Sequence, residues 1–565
     1  MKKYNIVWTI VDSVRHYHTD DDRSRLAVMD DFAKEGVEFK KIVTSAPSTI
    51  MSISAMMTGL PSYYLGRNYS DFRFDNDYFS TLSSIVNKNG WTTRALIMHK
   101  DIREKLRVFD MVPSRYWPKG FSHKDWWDNT KINQLLHNTI KKDGSKLPHP
   151  CFWFLDFNCR NDPKTNGLVE NSMKALQDAG YTKDNTIFIL CSDHGYPDPS
   201  RGITPEELKK KKMTHDIFMT DDNILIPMII SYPGCTPGQK IDTTVSTLDL
   251  LPTLIDILEL NVPNDVRSRW CGKSLLPLIQ GKNKKDFENP KIRTDARFLG
   301  QNGRVCALRG DKYKYVYHHD EQKEEFFDIS EFKIKEQNIA NSSIPEVQNA
   351  LIEFRKNFIE SEKLGVEFQI NYTSYRLGKQ INKLRKSKLE EDFKVLILST
   401  ASDNFLYSLG TALRKVLGVA DLTLIAPSDT FKDKLQTNHF SKIIDFINLS
   451  ELQVSEKESQ LMNDEIYNLV ILTYDSSQKS DFDNLSKFSK KIKYKKLVMM
   501  DLNMSISIRK GQMQRYLRTL KENRDFFIQE PSLIFFEIWK ILKVVFLQVK
   551  LKFTKTKNLE TKKWR

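Results

Sequence analysis

The run Asn5-Ile-Val-Trp-Thr-Ile-Val11 carries β-branched and aromatic side chains without polar alternation and passes directly into Asp12-Ser13. A strand of that composition must be covered on both faces, which calls for a parallel sheet between layers of helices. Ligands of such sheets gather beyond the carboxyl ends of the strands, so Asp12 is a candidate metal ligand. Its other reading is the N-cap of a following helix.

The arrangement recurs along the chain. Residues 26–35 read as an amphipathic helix stopped at Gly36, and 82–88 as a second helix. Residues 93–98 read as a short strand ending in His99-Lys100-Asp101, where His99 and Lys100 either contact an anionic substrate or belong to a surface loop. A helix over 126–140 precedes the apolar strand 151–157, and a helix over 167–179 precedes a strand over 186–191. That strand opens into Ser192-Asp193-His194-Gly195, which puts a hard oxygen and an imidazole at one sheet edge, with a glycine that lets the backbone turn sharply. Residues 226–230 add a core strand, and 243–260 read as a capped amphipathic helix.

Residues 46–59 begin with a Pro-Ser-Thr turn, continue through Ser, Ala and Met, and close on Thr58-Gly59, the pattern of a short helix with a glycine stop. Thr49 falls at or near its N-terminus. There the unpaired N–H groups and the helix dipole favour an anion and ease loss of a hydroxyl proton, although Ser-Thr before an apolar run is also an ordinary N-cap. Asp12, Thr49 and Asp193-His194 together compose one metal site with a nucleophile beside it.

These segments, in their order, resemble the sulfatase branch of the alkaline phosphatase superfamily. The resemblance is carried by Val11-Asp12, the block from Thr49 to Gly59, Asp184-Asn185-Thr186 leading to Ser192-Asp193-His194-Gly195, Ile226-Pro227-Met228-Ile229-Ile230, and Ser246-Thr-Leu-Asp-Leu-Leu-Pro-Thr253. Gly272-Lys-Ser-Leu-Leu-Pro277, Lys312-Tyr-Lys-Tyr315, Phe326-Phe-Asp328 and Asn338 resemble the family's small C-terminal subdomain. The resemblance covers about residues 1–345. It implies an α/β fold with an alkaline-phosphatase-like central mixed sheet flanked by helices, followed by that small α+β subdomain. It further implies one divalent metal ion (Ca, Mg, Mn or Zn) held by Asp12, Thr49, Asp193 and His194, with Thr49 as the nucleophile. His215 then becomes the group that protonates the leaving oxygen or binds the anion; its other reading is an ordinary exposed histidine.

Sulfatases carry Cys or Ser at the nucleophile position, within Cys-x-Pro-x-Arg, and oxidise it to formylglycine. Here Thr49 is followed by Met51 and Ile53, so formylglycine is not expected, and the position is similar to that of phosphoryl-transferring relatives. Ser13 stands where the family has a second Asp, and Asp162-Pro163-Lys164 where Asp-Pro-His is common, which argues against a full sulfatase or a two-metal site.

A chain of 565 residues exceeds one core. Residues 346–392 are highly charged and helical in flavour, a linker or bridging helix. Between 393 and 530, apolar runs at 393–399, 422–426, 443–447, 469–473 and 496–500 alternate with helical stretches such as 405–416. That alternation predicts a second, Rossmann-like α/β domain, and the lack of Gly-x-Gly-x-x-Gly argues against a dinucleotide. Residues 531–565 form a basic amphipathic tail with nine basic and two acidic residues, suited to peripheral contact with an anionic membrane or to docking on its own domain. Much of the net charge of +15 thus sits locally, and without a recognition-helix pattern nucleic acid is not an expected partner.

Six cysteines without a C-x-x-C pair read as reduced, structural thiols. The apolar run before Asp12 is too short for an export signal, so a cytoplasmic protein is expected, peripheral at the inner face of the membrane through its tail. The expected activity is hydrolysis or transfer of a sulfate or phosphate ester through a covalent Thr intermediate, on an anionic substrate such as a surface-glycan precursor. The alternative is a catalytically decayed scaffold or binding protein, which Ser13 and Ile53 would permit.

Overall fold

The computed structural model describes residues 1–16, 26–65, 78–99, 128–158, 164–201, 215–282, 284–297 and 303–384, a few positions between 102 and 125, and separate segments between 394 and 508. Lys100 and the tail 531–565 lie outside the described residues.

Seven strands make the central sheet: β1 (Asn5–Asp12), β2 (Val37–Val43), β3 (Thr92–Ile97), β4 (Cys151–Asn158), β5 (Thr186–Cys191), β6 (Leu225–Ser231) and β7 (Gln239–Ser246). Their order in space is β3-β4-β1-β5-β6-β2-β7. β3, β4, β1 and β5 run parallel, β6 is antiparallel to both its neighbours, and β2 pairs parallel with β7, so the sheet is mixed. Ile10 lies in register with Asp156 on one side and Cys191 on the other, which brings the carboxyl ends of β1, β4 and β5 to one edge.

Helices cover both faces. Ile6, Trp8 and Ile10 pack with Ile50, Ile53 and Met56 of α2 (Thr49–Thr58), and the same core takes in Ile85 of α3 (Leu82–Lys88). On the other face Val7 and Val11 join a core with Met29 and Phe32 of α1 (Ala27–Ala33), Ile132 and Leu135 of α4 (Asn129–Asp143), and Val169 and Leu176 of α5 (Thr165–Asp178). Each large apolar side chain removed from water contributes roughly 1.5–3 kcal/mol, which is why a run without polar alternation settles between two helical layers. At the end of α2, Gly59 adopts φ +66° and its N–H donates to the Ala55 carbonyl at 2.8 Å, the left-handed stop expected from Thr58-Gly59.

One element differs from the sequence reading. The stretch 243–260 is not one helix: its first residues belong to β7, and the helix α6 spans only Leu250–Ile257. Thr244, Val245 and Ser246 pair with Lys41, Ile42 and Val43, and β-branched side chains favour that pairing over a helix. The cap lies at Ser246, whose hydroxyl accepts from Leu248 N while Asp249 accepts from Ser246 N.

Strands β8 (Ile292–Asp295), β9 (Val305–Arg309), β10 (Tyr313–His318) and β11 (Lys323–Asp328) form a separate antiparallel sheet ordered β11-β10-β9-β8. The charged stretch read as a linker or bridging helix begins as one 40-residue helix, α7 (Pro345–Leu384), and it is not a free connector. Val347, Leu351, Phe354 and Phe358 bury against the small sheet, Phe368 stacks on Tyr64 with ring centroids 4.6 Å apart, and Gln369 donates to the Tyr64 carbonyl at 2.6 Å. Its exposed charges hide an apolar stripe that packs on two parts of the same unit.

Further on, β12 (Lys394–Ser399), β13 (Asp421–Pro427), β14 (Lys442–Phe446), β16 (Leu469–Tyr474), β18 (Leu497–Asp501) and β19 (Ile506–Ile508) form a sheet ordered β14-β13-β12-β16-β18-β19, with only β19 antiparallel. The two-residue strands β15 (Ile466–Tyr467) and β17 (Lys493–Tyr494) pair separately, and α8 (Asp403–Leu417) follows β12. Among the described residues no helix is long and apolar enough to cross a membrane. The described cysteines, Cys151, Cys191, Cys235, Cys271 and Cys306, are all free, and burial pushes the thiols of Cys151, Cys191 and Cys306 up to about 12.

Candidate active site

Asp12 closes β1, Asp193 and His194 follow the neighbouring β5, and Thr49 is the first residue of α2. Asp12, Asp193 and His194 are buried and each offers one ligand atom, all within 4.8 Å of one another. Thr49 Oγ1 lies 3.4 Å from Asp12 Oδ1 and 3.1 Å from His194 Nε2. Four residues from three distant parts of the chain thus meet at the carboxyl edge of the sheet.

Local hydrogen bonds orient each group. His194 Nδ1 is 2.7 Å from the Gly195 carbonyl; a carbonyl only accepts, so Nδ1 carries a proton and Nε2 is the nitrogen that faces Asp12 and Thr49. Ser13 holds φ +64°, a left-handed conformation uncommon for a residue with a side chain, and there its N–H donates to Asp193 Oδ1 and its hydroxyl to Asp12 Oδ1. Gly195 is required for space as well as turning, since a Cβ there would sit 2.1 Å from the Asp222 carbonyl oxygen. Behind the cluster, Thr44 Oγ1 and Ser52 Oγ donate to the Asp193 carbonyl at 2.7 and 2.8 Å, anchoring the loop to β2 and α2.

The electrostatics suit a cation. Burial pushes the Asp12 carboxyl up, but the hydrogen bond from His99 and the charges of His99 and His194 outweigh it and hold Asp12 below the usual carboxylate range. Asp193 moves the other way: burial and the neighbouring Asp12 charge raise it despite His194. Asp193 Oδ2 is also buried with no hydrogen-bond partner. Two carboxylates and an imidazole nitrogen around an unsatisfied buried oxygen form a donor set that fits a divalent metal ion.

His99, which the sequence also allows as a surface loop residue, enters the site. Its Nε2 is 3.6 Å from Asp12 Oδ2 and its Nδ1 2.9 Å from Asp156 Oδ2. Burial lowers its pKa, but the charges and hydrogen bonds of Asp156 and Asp12 raise it well above the ordinary histidine value. His215 is half-buried rather than exposed, with its ring centroid 5.0 Å from that of His194 and 4.9 Å from that of Tyr196. Sequence reasoning missed Thr44, Ser52 and Asp156. The first two carry no local pattern, being ordinary hydroxyl residues until the fold brings them under Asp193. Asp156 had a signal, an acid inside the apolar run Phe154-Leu-Asp-Phe157.

A family model described as sulfatase matches residues 163–260, and one described as the C-terminal part of N-sulphoglucosamine sulphohydrolase matches residues 212–362. Among curated proteins, arylsulfatase K of Xenopus laevis is 25% identical over 216 residues, 37% of either chain. The Delta 4,5-hexuronate-2-O-sulfatase of Bacteroides thetaiotaomicron is 28% identical over 194 residues, 33% of this chain and 36% of that one. The alignments span little more than a third of the length of these relatives. Among solved structures, a 2-O GAG sulfatase superposes with a TM-score of 0.50 at 18% identity, covering 64% of this chain and 93% of that chain, a likeness of fold.

Proposed function

We propose that the chain, which matches sulfatase family models over residues 163–362, is a member of the sulfatase family of the alkaline phosphatase superfamily and that it hydrolyses or transfers a sulfate or phosphate ester through a covalent intermediate on Thr49. The observation that carries this reading is the Thr49 hydroxyl, 3.1 Å from His194 Nε2 and 3.4 Å from Asp12 Oδ1 at the first turn of α2. Asp12, Asp193, His194 and Thr49 would hold one divalent ion. When bound, it would stabilise the deprotonated hydroxyl and neutralise charge on the non-bridging ester oxygens.

The protein groups divide the remaining work. The unpaired N–H groups at the start of α2 attract the anionic ester toward Thr49. As the Thr49 oxygen bonds to phosphorus or sulfur its proton passes to solvent, and the bond from that atom to the ester oxygen breaks, with His215 the candidate donor of the proton that the departing oxygen takes up. Water or an acceptor hydroxyl then displaces Thr49, giving hydrolysis or transfer. His99 lies on the other side of Asp12 and is the candidate contact to the substrate anion.

A sugar-borne ester is the substrate class we favour, since one relative is named as a hexuronate 2-O-sulfatase. The four-stranded sheet fits the small C-terminal α+β subdomain of the family, and the second sheet, ordered outward in both directions from β12, fits a Rossmann-like unit. The test is a mass measurement on the intact protein after exposure to phosphate and sulfate esters. A sulfate or phosphate adduct on Thr49, lacking in Thr49→Ala, is expected. Turnover without any Thr49 adduct, and undiminished in Thr49→Ala, would overturn the proposal.

A further inference from the structure

Asp156 is the third carboxylate at this sheet edge, and neither the ester chemistry nor the ligand cluster makes use of it. It sits on β4, the strand between β1, which ends in Asp12, and β3, which leads into His99; Ile10 and Ile97 are its register neighbours. Its side chain is completely buried. Oδ2 accepts from the backbone N–H of Met98 at 3.2 Å and of His99 at 3.1 Å, and it lies 2.9 Å from His99 Nδ1. Oδ1 is buried with no hydrogen-bond partner. A carboxylate in an apolar strand between two sheet neighbours is costly unless a partner compensates it, and a hydrophobic residue would fill the position without that cost.

The three contacts have one geometric effect. The two backbone bonds tie the end of β3 to β4, and the Nδ1 contact sets the ring. An ionised carboxylate only accepts, so Nδ1 carries a proton and Nε2 is the nitrogen turned toward Asp12, 3.6 Å from Oδ2. His194 is held in the same sense by the Gly195 carbonyl, so both imidazoles present Nε2 to the flanks of one aspartate.

We propose that Asp156 is a positioning residue that holds the His99 ring by its Nδ1–H and so aims its Nε2 at the anionic group of the ester. This rests on the proposed ester chemistry at Thr49 and deepens it. Asp156 touches neither the ester nor Thr49 and acts through His99.

The test is a double-mutant cycle on the full-length chain with Mn2+, reading the affinity for inorganic phosphate by calorimetry. His99→Ala and Asp156→Ala are each expected to weaken phosphate binding by about tenfold, and the double variant no further, because both remove one interaction. Asp156→Asn, whose carbonyl can take the place of Oδ2, is expected to restore most of the affinity. Nitrogen-15 spectra of wild type should show a hydrogen-bonded His99 Nδ1–H, and Asp156→Ala should lose that signature. Additive losses, unchanged phosphate affinity in either single variant, or a His99 Nδ1 that carries no proton in wild type would overturn the proposal. If Asp156→Ala does not fold, the wild-type Nδ1–H signature together with the Asp156→Asn and His99→Ala affinities decides it. Failure of the Thr49 chemistry is read separately, as turnover undiminished in Thr49→Ala.

Discussion

Thr49 Oγ1 stands 3.1 Å from His194 Nε2 although 145 residues separate the two in the chain. The contact follows from topology: α2 starts over the edge where β1 and β5 end side by side, so the first turn of the helix meets the loop after β5. Thr49→Ala is expected to lower turnover of any accepted ester by about a thousandfold or more, because the atom proposed to attack is lost. Thr49→Ser keeps that atom and should retain measurable turnover. Steady-state kinetics of the two variants, with circular dichroism to check the fold, decide this.

Asp193 Oδ2 is buried beside Asp12 and His194 with no hydrogen-bond partner, and the ion-binding prediction rests on it. Wild type is expected to bind one divalent ion per chain, and to gain about 2.7 kcal/mol of stability at a free ion concentration a hundred times Kd. Asp193→Asn keeps the shape and removes the charge, so it should abolish both the binding and the stabilisation. Elemental analysis and thermal unfolding with and without chelator measure them. Equal ion content in the two proteins would count against the ligand assignment.

Gly195 cannot be widened. A Cβ would fall 2.1 Å from the Asp222 carbonyl oxygen, a backbone atom, so Gly195→Ala must push apart the turn that carries Asp193 and His194. The expected cost is about 1–3 kcal/mol in urea unfolding, with weakened metal binding alongside. Gly167, inside α5 with nothing within 4 Å of its Cβ position, is the control; Gly167→Ala should be neutral or stabilising by up to about 1 kcal/mol.

Glu362 of α7 ties the long helix to the small sheet through Arg293 and Arg304; Arg304 Nη1 donates to Oε2 at 3.0 Å and Nη2 to Oε1 at 2.8 Å. Burial raises the Glu362 carboxyl, but the hydrogen bond from Arg304 and the two guanidinium charges outweigh it and bring it down to about 2 from 4.5. A depressed carboxylate contributes stability that is fully present above its unfolded pKa and lost as pH falls through the folded one. The window therefore runs from about pH 4.5 down to about 2, and the contribution is on the order of 3 kcal/mol. Glu362→Gln should be less stable than wild type at pH 7 and converge with it near pH 2. Urea midpoints that stay parallel across this range would contradict the assignment.

Much of the fold is legible in the local pattern because the period of apolar residues and the position of glycine act within a few residues. The strands read at 186–191 and 226–230 and the helix at 82–88 appear with ends within a residue, and Gly59 ends α2 as its sequence implies. The misreading at 243–260 comes from a choice that no local period decides: Thr244 and Val245 are acceptable in a helix until β2 offers them a ladder. The same holds for α7, whose charged exterior conceals the stripe of Val347, Leu351, Phe354 and Phe358 that packs on the small sheet.

The amino-acid sequence alone determines the candidate ligands and nucleophile, because Asp12, Thr49, Asp193 and His194 each stand at a strand end or helix start that short-range patterning defines. Which other groups join them is decided only by the tertiary structure. His99 reaches Asp12 because β4 lies between β3 and β1, and Asp156 reaches His99 for the same reason. Thr44 and Ser52 come under Asp193 because β2 and α2 fold onto the end of β5. Hydrophobic period is a property of neighbours along the chain, whereas an orienting hydrogen bond is a property of neighbours in space.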